Sequence, residues 1–350
     1  MNAIEKRDPI RIGLVGLGRA GWGMHCNELK GRETEFRIVA VCDPIQTRRQ
    51  EAVERYGCSA YESIEALIRD EHVELVDIAS RSNDHYAHAI MAIEAGKDVL
   101  LEKPIAMRYE EGQHIAELAA RRNVQVYARH NRRFDRNFLH AREVMTSGVL
   151  GDVFRIKLCV HAFSRRDDWQ TIKDFGGGQL LNWGPHVIDQ ALQLLESPVS
   201  RIWSHLGQVA AAGDAEDDVK ILLQGENKRV ADIEISGGVC LPSPYLTLYG
   251  TRGSLTASGD TITMKHIDPQ VILEPISANS GTPGQIFSQT KPIVWEQHTI
   301  HVNPATTYDF WDELYRSMRG GAPFPIKLEE ALEVLRITDE VRKENGYELK

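Results

Sequence analysis

The sequence is short of three things, and each shortage narrows the reading. Cysteine is scarce: five in 350 residues (Cys26, Cys42, Cys58, Cys159 and Cys240), odd in number, widely spread and with no CxxC pair. Neither a zinc knuckle nor a thioredoxin-type site is signalled, and reduced thiols in a cytoplasmic protein are expected. No apolar run reaches the roughly 18 residues that a membrane helix needs. The opening "MNAIEKRDPIRIGLVGLG" holds no apolar stretch ahead of the first strand, so no signal peptide is expected. A basic excess is missing too: 41 Lys and Arg against 50 Asp and Glu leave a net charge of −9. The arginine pairs at 121–122, 132–133 and 165–166 read as solvated surface and not as a nucleic-acid footprint.

What is present is an ordinary globular composition, 42% hydrophobic and 26% charged, long enough for two domains. The first third alternates short β-rich runs (10–15, 36–43, 73–80, 98–103 and 124–130) with helix-like segments (21–30, 46–56, 64–69, 85–94 and 109–122). Buried strands alternating with helices predict a parallel sheet covered on both faces. Beyond about residue 150 the pattern changes. A strand at 153–162 and a glycine-led helix at 178–196 precede runs at 199–209, 218–224, 229–236, 245–250, 254–257 and 261–266. Short turns between these runs predict an antiparallel sheet. Residues 268–303 carry no assignable pattern, and two helices are expected near 305–319 and 328–345. The expected division is 1–130 for a dinucleotide-binding domain and 131–350 for a second α/β domain.

"IRIGLVGLGRAG" sets Gly16, Gly18 and Gly21 as GxGxxG between a strand and a helix, with Leu17, Arg19 and Ala20 completing the loop. Gly16 permits the tight turn, Gly18 lets a pyrophosphate approach the backbone, and Gly21 lets helix and strand pack closely. Asp43 ends the second strand at about the 20-residue spacing expected for a carboxylate on the adenosine ribose. It favours NAD over NADP, because it repels a 2′-phosphate; Arg48 and Arg49 temper that preference. At the end of the fifth strand stand Glu102, Lys103 and Pro104. Ligands in a doubly wound fold bind outside the carboxyl ends of the strands, so this loop, Glu102 included, is expected on the cofactor side.

A third candidate is "DFGGGQLLNWGPHVIDQALQLL". Helical spacing would align Asn182, His186 and Asp189 as a polar stripe beside an apolar one of Leu181, Ile188, Leu192 and Leu195. Pro185 fits only if the helix begins near it.

These segments together resemble the glucose–fructose oxidoreductase / inositol dehydrogenase (Gfo/Idh/MocA) family. The resemblance rests on the GxGxxG with its strand-end acid, "ASRSNDHYAHAIMAIEAGKDVLLEKP", "VYARHNRRF" and "GGGQLLNWGPHVID", and it spans nearly the whole chain. It implies an α/β fold: an N-terminal Rossmann doubly wound parallel sheet, then a C-terminal domain with a large open, mostly antiparallel sheet that often forms the interface of a homodimer or homotetramer. It implies an NAD-dependent oxidoreductase working on a secondary alcohol or ketone of a sugar, cyclitol or sugar derivative. By residue, it implies that Lys103 contacts nicotinamide and the substrate hydroxyl, and that His186 is the acid/base. Ser80 and His85 would line the nicotinamide side. Asn182 departs from the Asp that many members carry, and Arg81 from the usual Pro. An amide orients a hydroxyl but does not ionise.

Hydride transfer from an alcohol needs a base near neutrality, which imidazole supplies, and a cation to favour alkoxide character, which the lysine supplies. Arg132, Trp169 and Trp183 are further substrate-contact candidates, the tryptophans through stacking on sugar C–H faces. Tyr308 is a weaker one. "HYAH" (85–88) lacks a third ligand, so no metal site is expected. Two other readings stay open: a glycosidase that oxidises and re-reduces its substrate with bound NAD, and a non-catalytic NAD-binding regulator.

Overall fold

The computed structural model describes residues 8–275, 293–302 and 309–347. Six strands make the first sheet: β1 (Ile10–Val15), β2 (Phe36–Cys42), β3 (Ser59–Tyr61), β4 (Leu75–Ile78), β5 (Asp98–Leu101) and β6 (Val126–Ala128). Their order is β3-β2-β1-β4-β5-β6, and every pair is parallel. The chain reverses direction across the sheet between β1 and β4, which is where a doubly wound fold opens its ligand crevice. All four residues of β4 are buried, as a strand covered on both faces requires.

Eight strands make the second sheet: β7 (Val153–His161), β8 (Val199–Gly207), β9 (Asp218–Gly225), β10 (Val230–Ser236), β11 (Leu246–Gly250), β12 (Gly253–Ser258), β13 (Thr261–Ile267) and β14 (Trp295–His301). They run in the order β14-β13-β12-β11-β7-β10-β9-β8. Only β7 and β10 pair in parallel; the other six pairings are antiparallel. Alternate residues of β9 and β10 are buried, so one face packs on helices and the other stays open.

The expected strands and helices are present with ends shifted by a few residues, and three elements had no place in the sequence reading. β3 is only three residues long, and β14 falls in the stretch without pattern. The helix Arg136–Thr146 bridges to the second domain. The helix expected over 21–30 is instead a π-helical turn, Gly21–His25, continued by one α-turn, Cys26–Glu28. The helix expected over 178–196 is two pieces, Gln179–Asn182 and Gly184–Leu195, with Trp183 between them. Pro185 lies in the first turn of the longer piece, where its missing N–H costs nothing.

The two apolar cores do not follow chain order. The first gathers the parallel sheet and its helices together with Phe310, Trp311, Leu314 and Tyr315 of the late helix Phe310–Gly320. The second gathers the helix Gly184–Leu195 and the inner face of the open sheet. All five cysteines are free, and only Cys240 is exposed. No helix among the described residues is long and apolar enough to cross a membrane.

Candidate active site

The glycine turn is shaped for a diphosphate. Gly16 has φ +94°, and a Cβ there would stand 2.7 Å from the Ala79 carbonyl oxygen. A Cβ on Gly21 would stand 1.9 Å from the Gly16 carbonyl oxygen, so both positions exclude any other residue. Gly18 is different: a Cβ there would meet nothing within 4 Å. Its open Cα side is the room that a cofactor backbone needs, and the loop fits a dinucleotide on this observation. Asp43 is buried under the turn, its carboxylate accepting from Leu17 N at 2.8 Å and Ile45 N at 2.9 Å. Arg48 stands 3.4 Å from the same carboxylate, and Arg49 donates to the Asp43 carbonyl at 2.7 Å.

Lys103 follows β5, and the Lys103–Pro104 peptide is cis. Its ammonium crosses to the second domain and donates to the Asn182 carbonyl oxygen at 2.9 Å. Burial pushes the Lys103 ammonium below its ordinary value, the Glu102 carboxylate opposes that, and the Arg19 and Arg132 guanidiniums reinforce it. His186, one turn beyond Asn182, is buried, and its Nδ1 has neither solvent nor a hydrogen-bond partner. Burial first, then Lys103 and Arg132, hold the imidazole well below its usual value. Both effects favour the uncharged imidazole.

The segment is aimed from its N-terminal side. Gly178 has φ +112°, and a Cβ there would stand 2.2 Å from both Glu216 carboxylate oxygens. The vacated space lets Glu216 accept from Leu180 N at 2.9 Å. Burial pushes the Glu216 carboxyl up to about 7. A polar chain then links the domains: Arg19 donates to Gln170 Oε1 at 2.9 Å, and Gln170 Nε2 donates to Asn182 Oδ1 at 3.3 Å. Arg166 also donates to Gln170 and pairs with Asp168 at 2.7 Å. These groups line a cavity of about 350 Å³ that includes Arg19, Gln170, Asn182, Trp183 and Glu216.

Other expected site residues have partners within the protein. Asp189 does not continue the polar stripe into the cleft; it is buried against the Arg133 guanidinium, which also reaches Glu330 at 2.5 Å. Glu102 is buried, and its carboxylate accepts from Lys103 N at 3.0 Å, Arg129 at 2.7 Å and His25 Nε2 at 3.1 Å. It steadies the lysine from behind. His85 bonds the Pro104 carbonyl at 2.7 Å and Ser80 O at 3.2 Å, and Ser80 Oγ bonds His88 at 2.9 Å. These ties brace the ends of β4 and β5 against one another. Arg132 lies over the Trp183 ring, 4.2 Å from its centroid, and pairs with Asp135 at 3.2 Å. Trp169 is 40% exposed and is not among the residues lining the cavity. Tyr308 lies outside the described residues.

Sequence reasoning missed Gln170, Glu216, His130 and the His25–Asp77 pair. His130 is buried with both ring nitrogens unpartnered, and burial holds its value down. Only Asp77 left a signal, as a lone carboxylate inside the fully buried strand "LVDI".

Known proteins share this two-domain fold. Residues 10–130 match the model of the oxidoreductase family with an NAD-binding Rossmann fold, and residues 138–256 match the GFO/IDH/MocA C-terminal domain. A scyllo-inositol 2-dehydrogenase (NADP(+)) of Bacillus subtilis is 25% identical over 96% of this chain and 93% of its own. A myo-inositol 2-dehydrogenase of Thermotoga maritima is 28% identical over 61% of this chain and 64% of its own. The crystal structure of an NAD-binding protein from Listeria innocua superposes with a TM-score of 0.81 at 25% identity, covering 97% of this chain and 98% of that one. With both of its domains matched in order, the chain belongs to the Gfo/Idh/MocA family of NAD(P)-binding oxidoreductases.

Proposed function

We propose that this protein moves a hydride between NAD and a secondary alcohol or ketone of a sugar, cyclitol or sugar derivative. The observation that carries the reading is the 2.9 Å contact of Lys103 Nζ with Asn182 O. It brings the cation of one domain against the segment that presents His186 from the other. The nicotinamide, when bound, supplies the hydride acceptor. The rest falls to the chain. Lys103 donates to the substrate oxygen and favours its alkoxide character. His186, neutral because burial and nearby cations disfavour its charged form, takes the hydroxyl proton on Nε2. Asn182 holds the lysine through its carbonyl, and its amide orients a hydroxyl in the cavity. Trp183 lines that cavity, and the Arg132 guanidinium lies over its ring. The inositol dehydrogenases among the relatives support the substrate class.

For the cofactor, the buried Asp43 favours NAD, while Arg48, 45% exposed on its side chain, is the group that a 2′-phosphate would meet; one relative is named for NADP(+). Trp203 and Tyr249, both exposed on the open face of the eight-stranded sheet, support self-association through that face.

The test is a panel of polyols, sugars and sugar acids with NAD and with NADP, read by absorbance of the reduced cofactor. Lys103→Ala and His186→Ala should each cut turnover by at least about 100-fold while cofactor binding persists. Full activity in both variants would overturn the mechanism. Glycoside cleavage without net reduced cofactor would move the reaction to the oxidation–elimination class, and NAD binding with no turnover on any panel member would move the protein to a regulator.

A further inference from the structure

We propose that His266, Glu296 and His298 form a binding site for a divalent cation of the zinc class at the edge of the open sheet. β13 and β14 pair antiparallel with His266 opposite Glu296 and Met264 opposite His298. Because side chains alternate faces along a strand, His266, Glu296 and His298 share one face. Glu296 Oε2 lies 3.8 Å from His266 Nε2 and 3.6 Å from His298 Nε2. All three ligand atoms lie within 4.8 Å of one another. At those distances neither imidazole hydrogen-bonds the carboxylate, so the three groups surround a gap without filling it. With metal–ligand bonds of about 2.0–2.1 Å, tetrahedral zinc holds its ligand atoms about 3.3 Å apart. Glu296 and His298, each about half exposed on their side chains, are free to turn inward and close the difference.

His266 is already set as a ligand. Its side chain is 5% exposed, and its Nδ1 donates to the Ile267 carbonyl at 3.1 Å. That bond keeps the proton on Nδ1 and leaves the Nε2 lone pair toward Glu296, the same outer-sphere arrangement that orients metal-binding histidines. Gly253 on β12 leaves room for the close approach of His266, since a Cβ there would stand 2.6 Å from the His266 Cβ. The His298 ring stacks on the His266 ring, centroids 5.4 Å apart at 17°.

A second cluster, Cys159, His161 and Glu234, shows what this site is not. There Ser243 N donates to His161 Nδ1 at 3.2 Å, which puts the ring proton on Nε2, facing Glu234 at 3.1 Å. That carboxylate also holds the Lys157 ammonium at 3.2 Å and the Lys220 ammonium at 2.5 Å. The second cluster is an ion-pair network in which the imidazole has no free lone pair to offer. Two imidazoles and one carboxylate suit zinc over magnesium or calcium, which prefer all-oxygen sets. Three protein ligands leave a fourth position for water, and the bound ion would clamp edge strand β14 to β13.

The experiment uses the full chain, free of any histidine tag and stripped with chelator. Titration with Zn²⁺ should show one equivalent bound and raise the melting midpoint by about 2–5 °C; Mg²⁺ should do neither. His298→Ala and Glu296→Ala should each weaken zinc binding at least about tenfold. Both positions are exposed, so the fold should survive, which circular dichroism checks. His301→Ala, on the opposite face of the same strand, and His161→Ala, in the other cluster, should leave binding unchanged. Unaltered affinity in His298→Ala and Glu296→Ala, loss confined to His161→Ala, or no zinc bound at all would overturn the proposal.

Discussion

His25 and His186 are both buried imidazoles near the Glu102–Lys103 loop, and their values move in opposite directions. Burial disfavours the charged form of each. At His25 it is outweighed by the Asp77 carboxylate, 2.7 Å from Nδ1, and by Glu102, 3.1 Å from Nε2, so its value is raised. At His186 the neighbours are cations, Lys103 and Arg132, and they deepen the effect of burial. Burial sets the scale of a shift, and the sign follows the groups that share the pocket. The lysine's side of the site is thus held by charge: Asp77, His25, Glu102 and Arg129 run in a chain to Glu28, whose carboxylate also accepts from Trp311 Nε1 at 2.8 Å. The histidine itself is set among apolar neighbours, with Val187, Ile188, Ala191 and Leu194 of its helix fully buried, while the helix's ion pair, Asp189 with Arg133, lies a turn further on.

The sharpest break of this contrast comes from deleting each imidazole in turn. His186→Ala should lower turnover by about 10²–10⁴-fold and leave the unfolding transition nearly in place, as steady-state rates and denaturant melts will show. His25→Ala should do the reverse. It strands Asp77 and part of Glu102 as buried charges and should cost about 3–5 kcal/mol of unfolding free energy, read from urea midpoints; an unchanged midpoint would show that the chain of charges carries no stability.

pH separates the two next. His186 has a folded value below its unfolded one, so its contribution to stability is present above about 6.5 and is lost as pH falls toward the folded value. His25 has a raised folded value; its contribution is present below about 6.5 and is lost as pH rises through the folded value. Stability measured against pH should therefore steepen on the alkaline side in the intact protein and flatten there in His25→Gln. The acid limb of kcat/KM should lie below 6.5, and a limb at or above that value would contradict a neutral His186 in the free protein.

Asp43→Ala should raise NADP use relative to NAD by about tenfold, the loss of one close like-charge contact, measured as the ratio of kcat/KM values. Trp169→Ala, outside the cavity lining, should leave KM within about twofold.

How much of this was legible beforehand depended on whether the cause was local. The glycine turn, Asp43 and the loop at Lys103 are short-range chemistry with fixed spacing, so they stood out in the sequence. The second sheet was legible as strands because alternation is local too. The partners of those groups were not. Gln170 lies in a short 3₁₀ turn, Trp169–Thr171, whose neighbours across the cleft come from the glycine loop. Asp189 shares the unbroken helix of His186, yet the nearness of Arg133 turns it to a structural pairing. β14 hid because its residues are exposed and its pairing is with β13 across a long connection.

The helix Leu328–Glu344 carries one further consequence. Ala331 and Leu335 belong to the core of the parallel sheet, while Val334, Ile337 and Val341 belong to the core of the open one. A single rigid rod is therefore a load-sharing axle between two lobes. Sliding the lobes along that axle would break packed contacts of one seat or the other. Neither lobe has its complete interior without this rod.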